Sequence, residues 1–322
     1  MKKNLVSIIL ASLTLAGALA GCGTAEAAPA AESAEEAVTE SAAEEATEEA
    51  SEEASEEATE AEDSEPAEEI DLKIGVVGSI YEDLWQSAVE TLADEGINLE
   101  IVQFSDYVTP NNALANGEID LDAFQHQIYL QSEIDQYGYE LTNIGNTFII
   151  PLNLYSEKIE SVDELKDGDT VAVPNDPTNE GRALKVLEAA GLIELKDNDN
   201  FNPTLDDIET YNVDIKIEEL AANTIPSTLP DVTAAVINGN YALDFGLDVD
   251  KAVYKDTVLD EEKYWNLIAA RTEDLSDPKL VEAYDKVVEA FQSDATEAVF
   301  NDTFGGYFIK VGWDQDRLSE YK

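Results

Sequence analysis

The sequence predicts an α/β fold of two lobes preceded by a disordered acidic linker. From residue 72 onward, strand-like and helix-like runs alternate along the chain. The alternation runs through twice, with an irregular Asp/Asn-rich loop inside the second half. Residues 23–71 hold 20 acidic residues, no Lys or Arg and almost no large apolar side chain, so a core has nothing to use there. Strands alternating with helices imply βαβ units around a largely parallel sheet.

The chain opens with Lys2 and Lys3, then a mostly apolar run from Leu5 to Ala20, then Gly21 and Cys22. A basic start, a short apolar stretch and small residues at its end read as a secretory signal over residues 1–21, too short for a spanning helix. Leu19-Ala20-Gly21-Cys22 resembles a bacterial lipobox, in which the Cys thiol takes a diacylglyceryl group and becomes the mature N-terminus. Cys22 is the only cysteine of the 322 residues, so no intramolecular disulfide is available to it. Acyl chains at roughly 0.8 kcal/mol per buried methylene would hold the protein on the extracytoplasmic side of a membrane.

Residues 22–71 then read as a lipidated Cys and a tether. Its repeating Glu-Glu-Ala-Thr and Glu-Glu-Ala-Ser units would stack Glu48, Glu52, Glu56 and Glu60 on one helical stripe, where like charges destabilise a helix. A self-repelling spacer is the expectation.

Residues 72–322 carry 51 acidic and 16 basic residues, a net charge of −35. That is enough chain for one large or two small units, and its charge argues against binding nucleic acid. With one His and no Cys in this part, a His/Cys metal centre is excluded. No Gly-x-Ser-x-Gly, Walker-type loop or His-Glu-x-x-His appears, and no cofactor is expected.

Each element has its own signal. Leu72–Val77 is a short strand ending at Gly78, and Tyr81–Glu95 has helical spacing through Leu84, Trp85, Ala88, Val89 and Leu92. Gly96 stops that helix, and Ile97–Phe104 alternates as a half-buried strand. Pro110–Asn116 is a short helix opened by Pro, Leu121–Phe124 a strand, Gln127–Gln136 a helix, and Leu141–Leu154 a long strand broken at Pro151. Val162–Leu165 reads as a short helix, Thr170–Val173 as a buried strand, and Glu180–Ala190 as a helix closed by Gly191. Ile215–Glu219, a helix from about Ser227 to Asp231, and the buried strand Ala234–Ile237 follow. Tyr264–Ala270 is a further strand, and Leu280–Gln292 an amphipathic helix. In such sheets ligands gather where loops leave the carboxyl ends of strands, and between lobes there is a cleft.

Five strings carry a resemblance: Asp106-Tyr107-Val108-Thr109-Pro110-Asn111; Asp122-Ala123-Phe124-Gln125-His126-Gln127-Ile128-Tyr129-Leu130; Gly145-Asn146-Thr147-Phe148; Val171 to Leu184, containing Pro174-Asn175-Asp176-Pro177-Thr178-Asn179; and Ala235 to Ala242. In order and separation they resemble the methionine-binding lipoprotein (MetQ/NlpA) family of ABC transporter substrate-binding proteins, over essentially all of residues 72–313. The resemblance implies a periplasmic-binding-protein fold (type II-like) with a two-segment hinge, with residues 72–151 and 264–322 in lobe 1 and 152–263 in lobe 2. It implies L-methionine or a related small amino acid in the cleft, and an ABC permease with its cytoplasmic ATPase as partners. By motif, Tyr107, Phe124 and Tyr129 would form an aromatic slot with His126 beside them, Asn179 and Arg182 would meet the ligand carboxylate, and Asn238 its polar head. Two features depart from the family pattern: Ile128 stands where Pro is usual, and the loop Gly75–Tyr81 is shorter.

Arg182 also makes sense on chemistry alone. It lies in the first turns of a helix opened by Asp176-Pro177-Thr178, where free N–H groups favour an anion and a guanidinium can clasp it; the alternative is a surface ion pair. Without the resemblance, Phe124 and Tyr129 read as core residues, His126 as a hydrogen-bonded structural residue, and Asn238 as either a ligand contact or a side-chain cap on the next turn. A hydrolase would need an activated nucleophile and base, and neither is visible, so no enzyme is expected. The remaining alternatives are another apolar amino acid or a methionine-containing peptide as cargo, and a surface adhesin or antigen on the same fold.

Overall fold

The structure, a computed structural model, describes residues 69–196 and 199–322. The expected signal segment, Cys22 and the linker through residue 68 lie outside the described residues. The first part of the chain forms β1 (Ile70–Val77), α1 (Ile80–Asp94), β2 (Ile97–Phe104), α2 (Thr109–Ala115), β3 (Leu121–Asp122), α3 (Gln127–Tyr137), β4 (Leu141–Asn146) and β5 (Phe148–Ile149). Then come β6 (Leu152–Tyr155), β7 (Thr170–Pro174), α4 (Pro177–Ala189), β8 (Ile193–Leu195), β9 (Ile208–Tyr211), β10 (Lys216–Leu220), α5 (Ile225–Thr228), β11 (Ala234–Asn238) and α6 (Gly239–Asp244). The chain finishes with β12 (Leu267–Arg271), α7 (Pro278–Phe291), α8 (Asp294–Asp302) and β13 (Ile309–Lys310).

These elements build two lobes, each around its own mixed sheet, in the orders β2-β1-β3-β12-β4 and β10-β7-β11-β6. Three strands in each are parallel, as βαβ crossovers require: β1 pairs with β2 in register from Ile70↔Ile97 to Val77↔Phe104, and β7 lies between β10 and β11. The antiparallel partners mark where the chain changes lobe. It leaves the first sheet after β4, passes through β5, which pairs only with β13, and Ile150-Pro151, and enters the second as β6, antiparallel to β11. It returns after Tyr254 and inserts β12 antiparallel to both β3 and β4. A strand arriving from the cleft side must run opposite to strands that end there, so the sheets are less purely parallel than the sequence predicts.

Burial follows the apolar patterning. Leu84, Trp85, Ala88 and Leu92 of α1 and Val287 and Phe291 of α7 pack over the first sheet, with the Trp85 and Phe291 rings 4.4 Å apart. Val171, Val173, Leu184, Leu187 and Val236 form the second core. Several predicted boundaries move. The run Leu141–Leu154 is three strands, because Thr147 and Ile150-Pro151 interrupt it. The helix expected over Ser227–Asp231 is instead Ile225–Thr228, with Pro226 in its first turn. The Val162–Leu165 signal is a single 3-10 turn.

Candidate functional site

The loops at the carboxyl ends of β1, β2, β3, β7 and β11 converge on a cavity between the two sheets. Tyr107, Phe124, His126, Tyr129, Asn179, Arg182 and Asn238, separated by more than a hundred residues of sequence, all line it. One lobe supplies rings. Tyr107 lies 5.9 Å from Phe124 and 6.1 Å from Tyr129, and Phe124 meets Tyr129 edge-on at 6.0 Å. The other supplies polar groups from the first turns of α4 and the end of β11.

α4 begins where it does because Asp176 caps it, accepting the Asn179 N–H at 2.9 Å, with Pro177 in the first turn. Asn179 and Arg182, three apart, then share a face. Arg182 is 2 % exposed. Its Nη2 donates to Asp256 Oδ2 at 2.7 Å and to the Ile150 carbonyl at 3.0 Å, and the guanidinium sits 5.0 Å over the Tyr264 ring. The surface ion pair considered from sequence is therefore a buried one, and it does not use the whole guanidinium: Nε is buried with no hydrogen-bond partner.

Asn238 corrects the capping expectation. It precedes α6, yet its side chain makes no cap hydrogen bond. Its Nδ2 donates instead to Asn179 Oδ1 at 2.9 Å, and its Oδ1 is buried without a partner. The α6 start lies so close to the crossing segment that a Cβ at Gly239 would meet the Pro151 carbonyl at 2.8 Å. His126 does cap: its Nδ1 accepts the Tyr129 N–H at 3.1 Å at the head of α3, and its Nε2 lies 3.3 Å from Asn179 Oδ1. Burial, aided by the Arg182 charge, pushes its pKa down to about 3, so the imidazole is neutral. Burial also holds the Tyr107 hydroxyl well above its ordinary value.

Contacts between the lobes cross the cavity rim. Tyr107 donates to Asn240 Oδ1 at 2.5 Å, and Asn240 Nδ2 donates to the Val77 carbonyl at 3.1 Å. Asp244 Oδ1, at the end of α6, accepts from Ser79 N, Ser79 Oγ and Ile80 N at 2.9, 2.6 and 3.2 Å, capping α1 from the other lobe. Sequence reasoning missed Tyr81, Asn240 and Asn266, which also line the cavity. Asn240 sits inside the Ala235–Ala242 motif, but Tyr81 and Asn266 carry no local signal, being an aromatic in an amphipathic helix and an Asn before a strand. Ile128 stands in the first turn of α3, half-buried and not itself among the lining residues.

A sequence model of the NlpA lipoprotein family matches residues 72–312. The chain belongs to that family. The D-methionine-binding lipoprotein MetQ of Escherichia coli (strain K12) is 42% identical over 248 residues, 75% of this chain and 88% of that protein. The structure of a nutrient-binding protein from Burkholderia cenocepacia bound to methionine is similar with a TM-score of 0.70 and 38% identity, covering 75% of this chain and 100% of that one. So is the substrate-binding protein of a methionine transporter from Streptococcus pneumoniae, at TM-score 0.71 and 34% identity, covering 75% and 96%. Like these relatives, this member of the NlpA family is two-lobed. Among its described residues, no helix is long and apolar enough to cross a membrane.

Proposed function

We propose that this protein is the substrate-binding component of an ABC importer, capturing methionine between its lobes and presenting it to a membrane permease driven by a cytoplasmic ATPase. One observation carries the ligand class. Two of the residues lining the cavity keep a buried polar atom without a partner: a donor, Arg182 Nε, and an acceptor, Asn238 Oδ1. Such groups are costly to leave unsatisfied. An α-amino acid zwitterion answers both, with its carboxylate on Arg182 and its ammonium on Asn238. Tyr107, Phe124 and Tyr129 then face its side chain, and a thioether gains about 0.3–1.5 kcal/mol per sulfur–aromatic contact beyond area burial. The methionine named in relatives' descriptions supports the same choice.

Asn179, whose Oδ1 accepts from Asn238 Nδ2 and lies 3.3 Å from His126 Nε2, serves the ligand through those two residues. The two crossing segments, Ile150–Leu152 and the stretch from Tyr254 to Asn266, serve as the hinge, and Cys22 as the lipid attachment that keeps the protein at the membrane. Purified protein, denatured and analysed by mass spectrometry, is expected to release methionine, and calorimetry on the stripped protein is expected to show it rebinding in preference to leucine. Release of a different amino acid, with no measurable methionine binding, overturns the assignment. Cys22→Ser should move the protein from the membrane to the soluble fraction; equal membrane retention excludes the anchor.

A further inference from the structure

An amide has a donor end and an acceptor end of nearly the same shape, so nothing in Asn238 itself decides that its oxygen meets the cavity. The decision lies behind it. Asn238 Nδ2 donates to Asn179 Oδ1 at 2.9 Å, and Asn179 Nδ2 donates to both oxygens of Asp176, at 3.0 and 3.1 Å. Asp176 also accepts from the Asn179 N–H at 2.9 Å and the Thr178 hydroxyl at 3.0 Å. Every group that touches the carboxylate is a donor, and an ionised carboxylate can only accept. Asn179 must therefore turn its NH2 to Asp176 and its oxygen to Asn238, and Asn238 must in turn give its NH2 to Asn179.

We propose that Asp176, which is not among the residues lining the cavity, is a positioning residue whose charge fixes the polarity of the ligand-facing Asn238 amide and so selects a ligand carrying a donor there, the α-ammonium. The same relay sets the tautomer of His126. Its Nε2 faces Asn179 Oδ1, already an acceptor, so Nε2 carries the proton. Nδ1 is then left free to accept the Tyr129 N–H and cap α3. One carboxylate at the head of α4 thus orders the head of α3 across the cleft.

The inference rests on the cavity being an amino-acid site, and the test separates the two. Asp176→Asn is nearly isosteric, and Asn caps helices as well as Asp does, so a role confined to capping α4 leaves it without effect. The new amide, however, must keep its oxygen at the Oδ1 position for the Asn179 N–H, and so sets its NH2 against the Asn179 NH2 at the Oδ2 position, a conflict that turning over Asn179 and then Asn238 relieves. Calorimetry would compare methionine with 2-hydroxy-4-(methylthio)butanoate, whose hydroxyl can donate or accept. Asp176→Asn is expected to weaken methionine about tenfold or more and the hydroxy acid no more than about threefold. The chain has a single His, so 15N-histidine labelling reports one imidazole. It should be the neutral Nε2–H form in the wild type and move toward Nδ1–H in Asp176→Asn, with or without ligand. Asp176→Ser also caps a helix and offers a hydroxyl to either end of the amide; it should lose the same preference if Asp176→Asn fails to fold. An unchanged preference with an unchanged tautomer overturns the relay, and so does an equal loss of both ligands. A wild type that binds neither compound overturns the amino-acid site instead, while the tautomer shift still reports on the relay.

Discussion

Arg182 and Asp256 form an ion pair with both side chains almost wholly out of solvent, Nη2 to Oδ2 at 2.7 Å. Asp256 Oδ2 also accepts the Leu152 N–H at 3.1 Å and Oδ1 the Val258 N–H at 2.8 Å, while Arg182 reaches the Ile150 carbonyl. One pair thus ties α4 to both segments on which the chain crosses between lobes. The residue offered to the ligand is fastened to the place where the lobes would pivot.

Removing one member of such a pair leaves the other buried and uncompensated. Asp256→Ala is expected to lose about 3–5 kcal/mol of stability, measurable by urea unfolding of the ligand-free protein. Arg182→Ala should weaken every α-amino acid the protein accepts by a similar factor, about 2–5 kcal/mol by calorimetry. Methionine binding at wild-type strength in Arg182→Ala would remove this residue from the carboxylate contact.

Phe124 is 5 % exposed and lies against two tyrosine rings, so truncating it opens the apolar end of the cavity and leaves the polar end alone. Phe124→Ala should cost methionine about 1–3 kcal/mol of affinity and cost alanine or serine less, flattening specificity. Full discrimination in that variant would place the side-chain slot elsewhere.

Asp244 caps α1 only while the lobes are together, because cap and helix belong to different lobes. A helix cap contributes about 0.5–2 kcal/mol, and losing it shifts the balance toward an open form without touching the cavity. Asp244→Ala should raise the dissociation constant for methionine several-fold, chiefly through faster release. Small-angle scattering of the ligand-free variant should show a larger radius than the wild type. Unchanged affinity and unchanged radius would show that this contact does not bias closure.

Titration of buried groups gives a pH dependence of a stated sign. Burial pushes the Asp122 carboxyl up to about 8, and burial with neighbouring carboxylates raises Glu133 and Glu180 to about 7. Their folded values exceed their unfolded ones, so the stability they contribute is present below about pH 4 and is lost as pH rises toward 7–8. His126 acts oppositely: its contribution is present above about pH 6.5 and is lost as pH falls toward 3. Burial raises the Asp176 carboxyl as well, so four carboxyls oppose one imidazole, and the net charge of −35 over residues 72–322 adds repulsion at high pH. The melting temperature is therefore expected to be higher at pH 5 than at pH 7.5. Asp122→Asn, which keeps an oxygen for Gln125, should narrow that difference; an equal or lower melting temperature at pH 5 would contradict the assignment.

The sequence by itself determined the alternation of the main strands and helices, because hydrophobic period, Gly stops and the Asp-Pro opening of α4 are local signals that tertiary packing did not override. It did not show β8, β9, α6, α8 or β13, and it read β4, β5 and β6 as one strand broken at Pro151. It also determined, through motif resemblance, which side chains would share one cavity: Tyr107, Phe124, His126, Tyr129, Asn179, Arg182 and Asn238 do line it together. What only the tertiary structure decided are the partnerships between side chains far apart in sequence. Asp256 lies 74 residues from Arg182, and Asn179 lies 59 from Asn238. Neither pairing has a local period or spacing that could announce it. The same holds for Asp244 on α1, a cap that local reasoning seeks within a few residues of the helix it serves but that arrives from 165 residues away. Local chemistry fixes what each residue is able to do. Which of its hydrogen-bonding ends is occupied, and which is left for a ligand, depends on the partner the fold brings to it.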